Sequence, residues 1–115
     1  MRIIIDLDGT LCEPQLIYKD TLRRYGLATP IEPVIATLRR AKEQGAYVIV
    51  YTARRMVTHK GDVAKVIEDV GPLTEEWLQE NNVPYDELVF GKPYGDYYVD
   101  DKATSILDFL STFSR

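Results

Sequence analysis

The chain has 115 residues and a formal net charge of −4, with 18 Asp and Glu against 14 Lys and Arg. This length suits one domain with one core, so we predict a single domain over residues 1–115. The acidic balance disfavours a protein that holds a nucleic-acid backbone, because neutralising phosphates requires clustered Lys and Arg. The single cysteine, Cys12, excludes an internal disulfide, and no apolar run approaches the ~20 residues that cross a bilayer. We therefore expect a cytoplasmic protein with no membrane partner.

The first half of the chain predicts a strand, a helix and a second strand. Three consecutive isoleucines within Arg2–Asp6 predict a fully buried strand, and residues 46–51 form a second such run. Between them, Pro33 is followed by apolar residues at helical spacing, and Gly45 is a suitable C-terminal stop. The two strands should therefore be parallel, joined by a right-handed crossover.

The second half continues the alternation of helix and strand. Thr74 followed by acids predicts the start of a helix, Glu87–Phe90 and residues 97–100 predict two short strands, and residues 103–113 have helical spacing. Two segments interrupted by Pro and Gly are predicted as loops with some helix: residues 12–30 and 54–72. The whole pattern predicts an α/β protein, a three-layer αβα Rossmann-like fold around a central parallel sheet.

Polar residues follow each predicted strand, at the edge of a parallel sheet where ligands bind. Four carboxylates at one edge would repel one another unless a cation offset them. Mg²⁺ typically takes one or two carboxylates together with water and substrate phosphate oxygens. The pattern therefore predicts a site for magnesium and a phosphate. The residues concerned are Asp6, Asp8, Thr52, Lys92, Asp100 and Asp101.

Each of these residues has a plainer interpretation when it is taken alone. An acid such as Asp100 at a strand end commonly caps a helix or forms a turn, so the prediction depends on joint occurrence. Cys12 is predicted to be a small packed residue, because no histidine lies near it in sequence. His59 is predicted to be a surface residue. Tyr94, close to Lys92, could line the mouth of a pocket.

The order of the acids, threonine and lysine resembles the haloacid dehalogenase (HAD) superfamily of phosphohydrolases. The string DLDGT at residues 6–10 resembles its first motif, Thr52 its second, Lys92 its third, and Asp100 with Asp101 its fourth. The strings YTARRM, VPYDELVFGKP and YYVDDKA are similar to a small capless branch associated with capsular or surface polysaccharide biosynthesis.

The resemblance implies a role for each matching residue. Asp6 would attack phosphorus and form an aspartyl-phosphate, while Asp8 would protonate the leaving oxygen and then deprotonate the attacking water. Thr52 would hold the phosphoryl oxygens and Lys92 would neutralise developing charge. An acid at position 8 favours phosphate esters over halides. The metal ligands implied are Asp6, Asp8 through its carbonyl, Asp100 and Asp101. The residues implied to line the substrate site are Leu7, Gly9, Thr10, Ala53 and Arg54.

The stretches between the motifs are too short for a cap domain. About 20 residues between Asp8 and Thr52 remain after the predicted helix and strand are assigned, whereas independent domains seldom fall below ~40 residues. The site should therefore lie open, with residues 13–18 and 54–61 as candidate lids. Arg54 and Arg55 could hold a phosphate or a substrate carboxylate. Capless members of the family often assemble, so a homodimer or homotetramer is expected.

These patterns predict a Mg²⁺-dependent phosphomonoesterase for a small phosphorylated metabolite, a sugar phosphate or a similar precursor of surface polysaccharide. One alternative is a receiver-like phosphoacceptor domain, although its acceptor Asp would follow a middle strand, where this chain has Thr52. A binding protein without catalysis is a second alternative. A third, a phosphatase of nucleic-acid ends, suits an open site but not the negative charge.

Overall fold

The structure is a computed structural model that describes residues 1–113. In chain order its elements are β1 (Arg2–Asp6), β2 (Cys12–Glu13), α1 (Thr21–Gly26), β3 (Thr29–Pro30), α2 (Glu32–Glu43), β4 (Tyr47–Thr52), α3 (Val63–Glu80), β5 (Glu87–Phe90) and α4 (Ile106–Thr112). The segment predicted as loop with some helix at residues 12–30 contains α1 and the short antiparallel pair β2–β3.

The central sheet is parallel and has the order β1, β4, β5. Asp6 at the end of β1 pairs with Tyr51, and Thr52 at the end of β4 pairs with Phe90. The three carboxyl ends therefore lie side by side at one edge of the sheet. This arrangement confirms the predicted α/β class and the parallel strand–helix–strand unit.

Helix α2 follows the local signals of its sequence. Pro33 lies in its first turn, and the backbone turns at Gly45, whose φ is +95°. The amide of Gly45 bonds to the carbonyl of Lys42 at 3.0 Å, and the amide of Ala46 bonds to that of Ala41 at 3.1 Å. The buried face of the helix joins the core through Val34, Ile35, Leu38 and Ala41.

The prediction that β1 is buried on both faces is wrong. Alternate side chains of a strand point to opposite faces, and here only one face is covered. Ile3 and Ile5 belong to or pack against the core, whereas the side chain of Ile4 is 62% exposed. Among residues 1–113 the strand pairs on one side only, with β4, so it forms an edge of the sheet there.

The predicted start of a helix at Thr74 is also wrong, because α3 begins eleven residues earlier. Asp62 caps it by accepting a hydrogen bond from the amide of Lys65 at 3.3 Å. The helix continues through Gly71 and Pro72, which the sequence pattern treats as breakers, and Thr74 lies fully buried within it.

The predicted strand at residues 97–100 is absent, and residues 91–105 carry no helix or strand. Side-chain hydrogen bonds form local turns there instead. The Tyr98 hydroxyl donates to the carbonyl of Pro93 at 2.7 Å, and Asp100 accepts from the amide of Lys102 at 2.8 Å. The helix predicted for residues 103–113 is present as α4.

Between Asp8 and Thr52 the chain adds only α1, α2, β4 and the β2–β3 pair, and between Thr52 and Lys92 only α3 and β5, so no cap domain occurs within residues 1–113. None of the helices in this part of the chain is both long and apolar enough to cross a membrane.

Candidate active site

A cavity of about 390 Å³ lies at the carboxyl ends of the central strands. Its lining includes six residues predicted from the sequence: Asp6, Asp8, Thr52, Ala53, Arg54 and Lys92. It also includes Tyr25, Arg55, Thr58, Tyr94 and Tyr98. Tyr94 thus lies at the cavity, as predicted for a residue at a pocket mouth.

Asp6 is a partly exposed carboxylate of this cavity, as is Asp8, whose side chain is 28% exposed. The side chain of Asp6 is 34% exposed, and its Oδ1 lies 3.3 Å from Nζ of Lys92. The ammonium of Lys92 lies 4.2 Å from the centre of the Tyr98 ring. The backbone amide of Lys92 bonds to the carbonyl of Thr52 at 3.1 Å, which connects the residue to the end of β4. A cation is therefore held beside a carboxylate that a ligand can reach.

Asp8 has different surroundings, although it lies only two residues further on. Arg54 donates two hydrogen bonds to its carboxylate, from Nε to Oδ2 and from Nη2 to Oδ1, both at 2.9 Å. The thiol of Cys12 lies 3.3 Å from Oδ1. The carboxylate is held in one plane by this bidentate contact.

The guanidinium of Arg54 is enclosed by the protein. Its side chain is 0% exposed, Nη1 donates to Oγ1 of Thr74 at 3.0 Å, and the Tyr25 ring centre lies 4.2 Å from Cζ. Burial acts to lower the pKa of Arg54, but the hydrogen bonds and charge of Asp8 outweigh burial and raise that pKa. The predicted substrate-binding residue is thus engaged by Asp8 and by the interior of the protein.

Thr52 lies at the turn that leads from β4 to Arg54. Its Oγ1 accepts a hydrogen bond from the backbone amide of Arg54 at 3.1 Å. A threonine hydroxyl that accepts one hydrogen bond can still donate its own proton. Thr52 can therefore donate to an oxygen in the cavity, as the sequence prediction requires.

Three residues that the resemblance implies for substrate binding do not line the cavity: Leu7, Gly9 and Thr10. Leu7 is fully buried, and its carbonyl accepts hydrogen bonds from three successive amides, those of residues 10–12. Gly9 has a φ of +85°, which favours glycine. Together with Thr10, these residues form the tight turn that follows Asp6 and Asp8.

The structure does not bring the four predicted metal ligands together. Asp100 and Asp101 are exposed in the irregular segment, and within residues 1–113 no group of three or more His, Cys, Asp or Glu side chains could hold a metal ion. The carboxylate of Asp6 is a donor that suits Mg²⁺. Each carboxylate oxygen of Asp8 accepts a hydrogen bond from Arg54, and the resemblance assigns only the backbone carbonyl of Asp8 to the ion.

The rim of the cavity carries a second cation, Arg55, which has a φ of +60°. Its Nε donates to Oδ2 of Asp69 at 2.7 Å, and Nε2 of His59 lies 2.8 Å from the same oxygen. These bonds, the one to His59 first, lower the pKa of Asp69. His59 is therefore a partly buried residue with a partner on α3, which differs from the predicted surface residue. Of the two candidate lids, residues 54–61 contribute Arg54, Arg55, Val57 and Thr58 to the lining of the cavity, whereas residues 13–18 contribute none.

Sequence reasoning missed three residues that shape this site. Tyr25 lies in a segment whose pattern gives no signal beyond some helix, Tyr98 was interpreted as part of a strand, and Thr74 was interpreted as a helix cap. Thr74 and Tyr25 each contact Arg54 across 20 or more positions of sequence, and Tyr98 contacts Lys92. No local sequence pattern indicates these contacts.

Comparison with known proteins gives a family and several structural relatives. Residues 1–105 match the model of the polynucleotide kinase PNKP phosphatase domain. The crystal structure of an MCSG target from Vibrio cholerae is 37% identical, with a TM-score of 0.84, over 96% of this chain and 87% of that one. A comparison with curated proteins found no match.

Two structures of a Pnkp1/Rnl/Hen1 complex are more distant. One is 27% identical with a TM-score of 0.56, and covers 87% of this chain and 31% of that one. The other, of the Pnkp1/Rnl/Hen1 RNA repair complex, is 21% identical with a TM-score of 0.53, over 96% of this chain and 30% of that one, and shows the fold alone. This chain thus spans about a third of those relatives.

The family model covers nearly the whole chain, and the cavity carries the acids, threonine and lysine of the first three motifs. The chain therefore belongs to the polynucleotide kinase PNKP phosphatase domain family, and it is a capless phosphatase of the HAD superfamily.

Proposed function

We propose that this phosphatase is a single-domain phosphomonoesterase in which Asp6 is the nucleophile. The observation that carries the proposal is the pair of Asp6 and Lys92, a partly exposed carboxylate with an ammonium 3.3 Å away at the carboxyl end of β1 in the central sheet. The ammonium offsets the charge of an approaching phosphate, which a carboxylate alone would repel.

The reaction has two steps. An oxygen of Asp6 attacks phosphorus, the bond from phosphorus to the leaving oxygen breaks, and Asp8 supplies the proton that this oxygen needs. Asp8 then takes a proton from a water molecule, which attacks the aspartyl-phosphate and releases inorganic phosphate with Asp6 restored. Thr52 donates a hydrogen bond to a phosphoryl oxygen in both steps.

We infer that the reaction uses Mg²⁺, which would neutralise charge on the phosphoryl group. Asp6, the carbonyl of Asp8 and Asp100 would hold the ion, with Asp101 acting directly or through water. The proposal requires residues 96–101 to lie closer to the cavity than in the structure described above. Its support is the donor type of Asp6 and the resemblance of the fourth motif.

We propose a small phosphorylated metabolite as the substrate, a sugar phosphate or related precursor of capsular or surface polysaccharide in the cytoplasm. A cavity of about 390 Å³ is of the size that small molecules occupy, and the net charge of −4 disfavours a polyanionic polymer. Assembly into a homodimer or homotetramer stays a prediction.

A second candidate substrate is the phosphorylated end of a nucleic acid. The match to a polynucleotide kinase phosphatase domain favours it, and so does the absence of a cap within residues 1–113, because a polymer end needs an uncovered cavity. Arg55 and Lys92 at the cavity would face the neighbouring phosphates.

Phosphate release from a panel of substrates tests both candidates. The panel holds sugar phosphates and oligonucleotides with a 3′ or a 5′ phosphate, each assayed with Mg²⁺, with chelator, and with Mg²⁺ restored. Asp6→Asn should remove turnover of every substrate, by at least ~10³-fold, because an amide cannot replace the attacking carboxylate. Asp96→Asn, an exposed acid outside the cavity lining, should retain it.

The ranking by kcat/KM separates the candidates. A preference for a sugar phosphate that changes little with salt supports the metabolite, whereas a preference for oligonucleotides that weakens steeply with salt supports the nucleic-acid end. Full activity of Asp6→Asn would refute the nucleophile, and turnover that chelation leaves unchanged would refute the magnesium proposal.

A further inference from the structure

Arg54 is a charged residue at the cavity whose charge does not face the cavity. Its side chain is 0% exposed, and its guanidinium contacts groups from four parts of the chain. These groups are the carboxylate of Asp8, the thiol of Cys12, the ring of Tyr25 and the hydroxyl of Thr74. A guanidinium enclosed in this way has no free edge for a substrate phosphate.

We infer that Arg54 is a positioning residue for proton transfer by Asp8, and that it does not bind the substrate as the sequence pattern implies. The inference rests on the proposed role of Asp8. It changes the expected consequence of losing Arg54 from weaker phosphate binding to a slower step at the leaving oxygen.

The geometry at Asp8 supports this assignment. The terminal torsion of an aspartate is broad, so a carboxylate with one partner can rotate. Two parallel hydrogen bonds from one rigid fork, each 2.9 Å long, fix both oxygens of Asp8 in one plane. Within residues 1–113 the ion pair recorded for the Asp6 carboxylate is the one with Lys92 at 3.3 Å, so the two acids differ in how firmly they are oriented.

The thiol of Cys12 adds a third contact to Asp8. The buried thiol can donate a hydrogen bond to Oδ1 of Asp8, from which its sulfur lies 3.3 Å away. The same sulfur accepts from Nη2 of Arg54 at 3.7 Å. Arg54 and Cys12 thus hold Asp8 from the side that faces the interior.

The backbone of Arg54 contacts a second site residue. Its amide donates to Oγ1 of Thr52 at 3.1 Å, which uses one lone pair of that hydroxyl and directs its proton elsewhere. One buried residue therefore orients both the proposed proton donor and the proposed phosphate donor. Lys at this position would supply a point charge without the planar fork, so it should not replace Arg54.

The test compares Arg54→Lys and Asp8→Asn on two substrates, one with a good aryl leaving group and one alkyl phosphate whose leaving group needs a proton. Both variants should lose more kcat on the alkyl phosphate than on the aryl phosphate, by ~10-fold or more, because a poor leaving group depends more on the acid. Inhibition by inorganic phosphate should change by less than ~3-fold in Arg54→Lys, since ground-state binding is not its role.

The double variant decides whether Arg54 acts through Asp8. In an Asp8→Asn background, Arg54→Lys should add nothing to the difference between the two substrates, which is the signature of two residues acting as one unit. A weakened inhibition by phosphate, with equal losses on both substrates, would overturn the inference and restore a substrate-binding role. Equal losses on both substrates for Asp8→Asn alone would instead refute the proposed acid.

Thr74→Val provides a second route if Arg54→Lys does not fold. Thr74 contacts Nη1 of Arg54 but does not line the cavity. Because Thr74 does not line the cavity, a selective loss of activity on the alkyl phosphate in this variant would have to arise through Arg54. Such a loss would support the inference. A folded Thr74→Val enzyme with an unchanged ratio between the substrates would contradict it.

Discussion

Two carboxylates only two positions apart have distinct chemical surroundings in this protein. Asp6 faces the cavity beside a lysine, while Asp8 is turned toward a buried arginine and a thiol. Because the neighbours differ, the same side-chain type can supply a nucleophile at one position and a proton at the next. If Asp6 and Asp8 have the proposed roles, the neighbours that distinguish them are Lys92, Arg54 and Cys12.

Cys12 should make the stability of the protein depend on alkaline pH. Burial first, and then the charge of Asp8, raise its pKa from an ordinary 9.0 to about 12 in the folded state. The unfolded chain thus loses this proton first, and the free energy of unfolding should fall as the pH rises from 9 toward 12. The contribution is fully present below pH 9, and the slope of a single such group reaches at most about 1.4 kcal/mol per pH unit.

Urea unfolding at several pH values between 8 and 11 measures this effect, with Cys12→Ser as the matched control. Serine keeps a hydrogen-bond donor beside Asp8 and does not titrate in this range. The wild-type protein should lose more stability than Cys12→Ser over the interval. Parallel curves for the two proteins would show that the thiol is not held in its protonated form.

The residues of the site divide according to how much their sequence neighbours reveal. Asp6, Asp8, Thr52 and Lys92 were predicted because each follows a strand, and strand ends can be identified from apolar runs. The partner of Asp8 could not be predicted, because Arg54 lies 46 positions away and its burial depends on tertiary packing. An arginine after a strand is an ordinary surface residue until Tyr25 and Thr74 enclose it.

At the scale of elements, helix α3 supports the site through Thr74, a buried residue that contacts Arg54. Thr74 in this helix donates to the carbonyl of Val70 at 2.7 Å and accepts from Arg54 at 3.0 Å. Replacing it by Val leaves a buried guanidinium N–H without an acceptor, so Thr74→Val should destabilise the protein by about 1–3 kcal/mol. Chemical unfolding of the purified variant measures the change.

Thr74→Ser is the control for this prediction, because it keeps the hydroxyl and removes only a methyl group. Its cost should be smaller, on the order of 1 kcal/mol for one buried methyl. Equal destabilisation by Ser and Val would mean that the methyl packing of Thr74 matters and its hydroxyl does not.

Elements whose signals are local were predicted with nearly correct bounds. Pro33 and Gly45 mark the two ends of α2, and both act within one turn of the helix. The start of α3 was missed because Gly71 and Pro72 indicate an interruption, whereas the packing of Val66, Val70 and Trp77 holds the helix through them. Residues 97–100 have the composition of a strand, but a strand also needs a partner, and composition does not supply one.

At the scale of the whole molecule, several apolar side chains are exposed in the described part of the chain. Two of them bear on the site: Ile4, which is 62% exposed on the uncovered face of β1, and Val99, which is 99% exposed in the segment after β5. Within residues 1–113 β1 also has one unpaired edge. An unpaired strand edge presents rows of amide and carbonyl groups that can accept another strand. Burying side chains of this kind contributes about 1.5–3 kcal/mol each. If the segment closes toward the sheet, it buries such side chains, so we expect closure once the repulsion between the acids is offset.

A bound cation should provide that offset, so binding of Mg²⁺ should protect residues 97–104. Asp100 and Asp101 repel Asp6 and Asp8 when all four are ionised and close together, and a divalent ion reverses this repulsion. Hydrogen exchange with Mg²⁺ and inorganic phosphate present should slow in this segment by ~10-fold or more, since a closed segment must open before it exchanges.

Asp100→Asn should abolish the protection, whereas Asp96→Asn, in the same exposed segment but not a proposed ligand, should keep it. If phosphate alone also slows hydrogen exchange in this segment, the anion and not the metal ion causes the closure. Exchange that stays fast with the metal bound would exclude Asp100 and Asp101 as ligands, and it would leave Asp6 and the carbonyl of Asp8 as the protein's contribution to the ion. The measurement reports on the chain itself, so it separates the metal site from any defect in turnover.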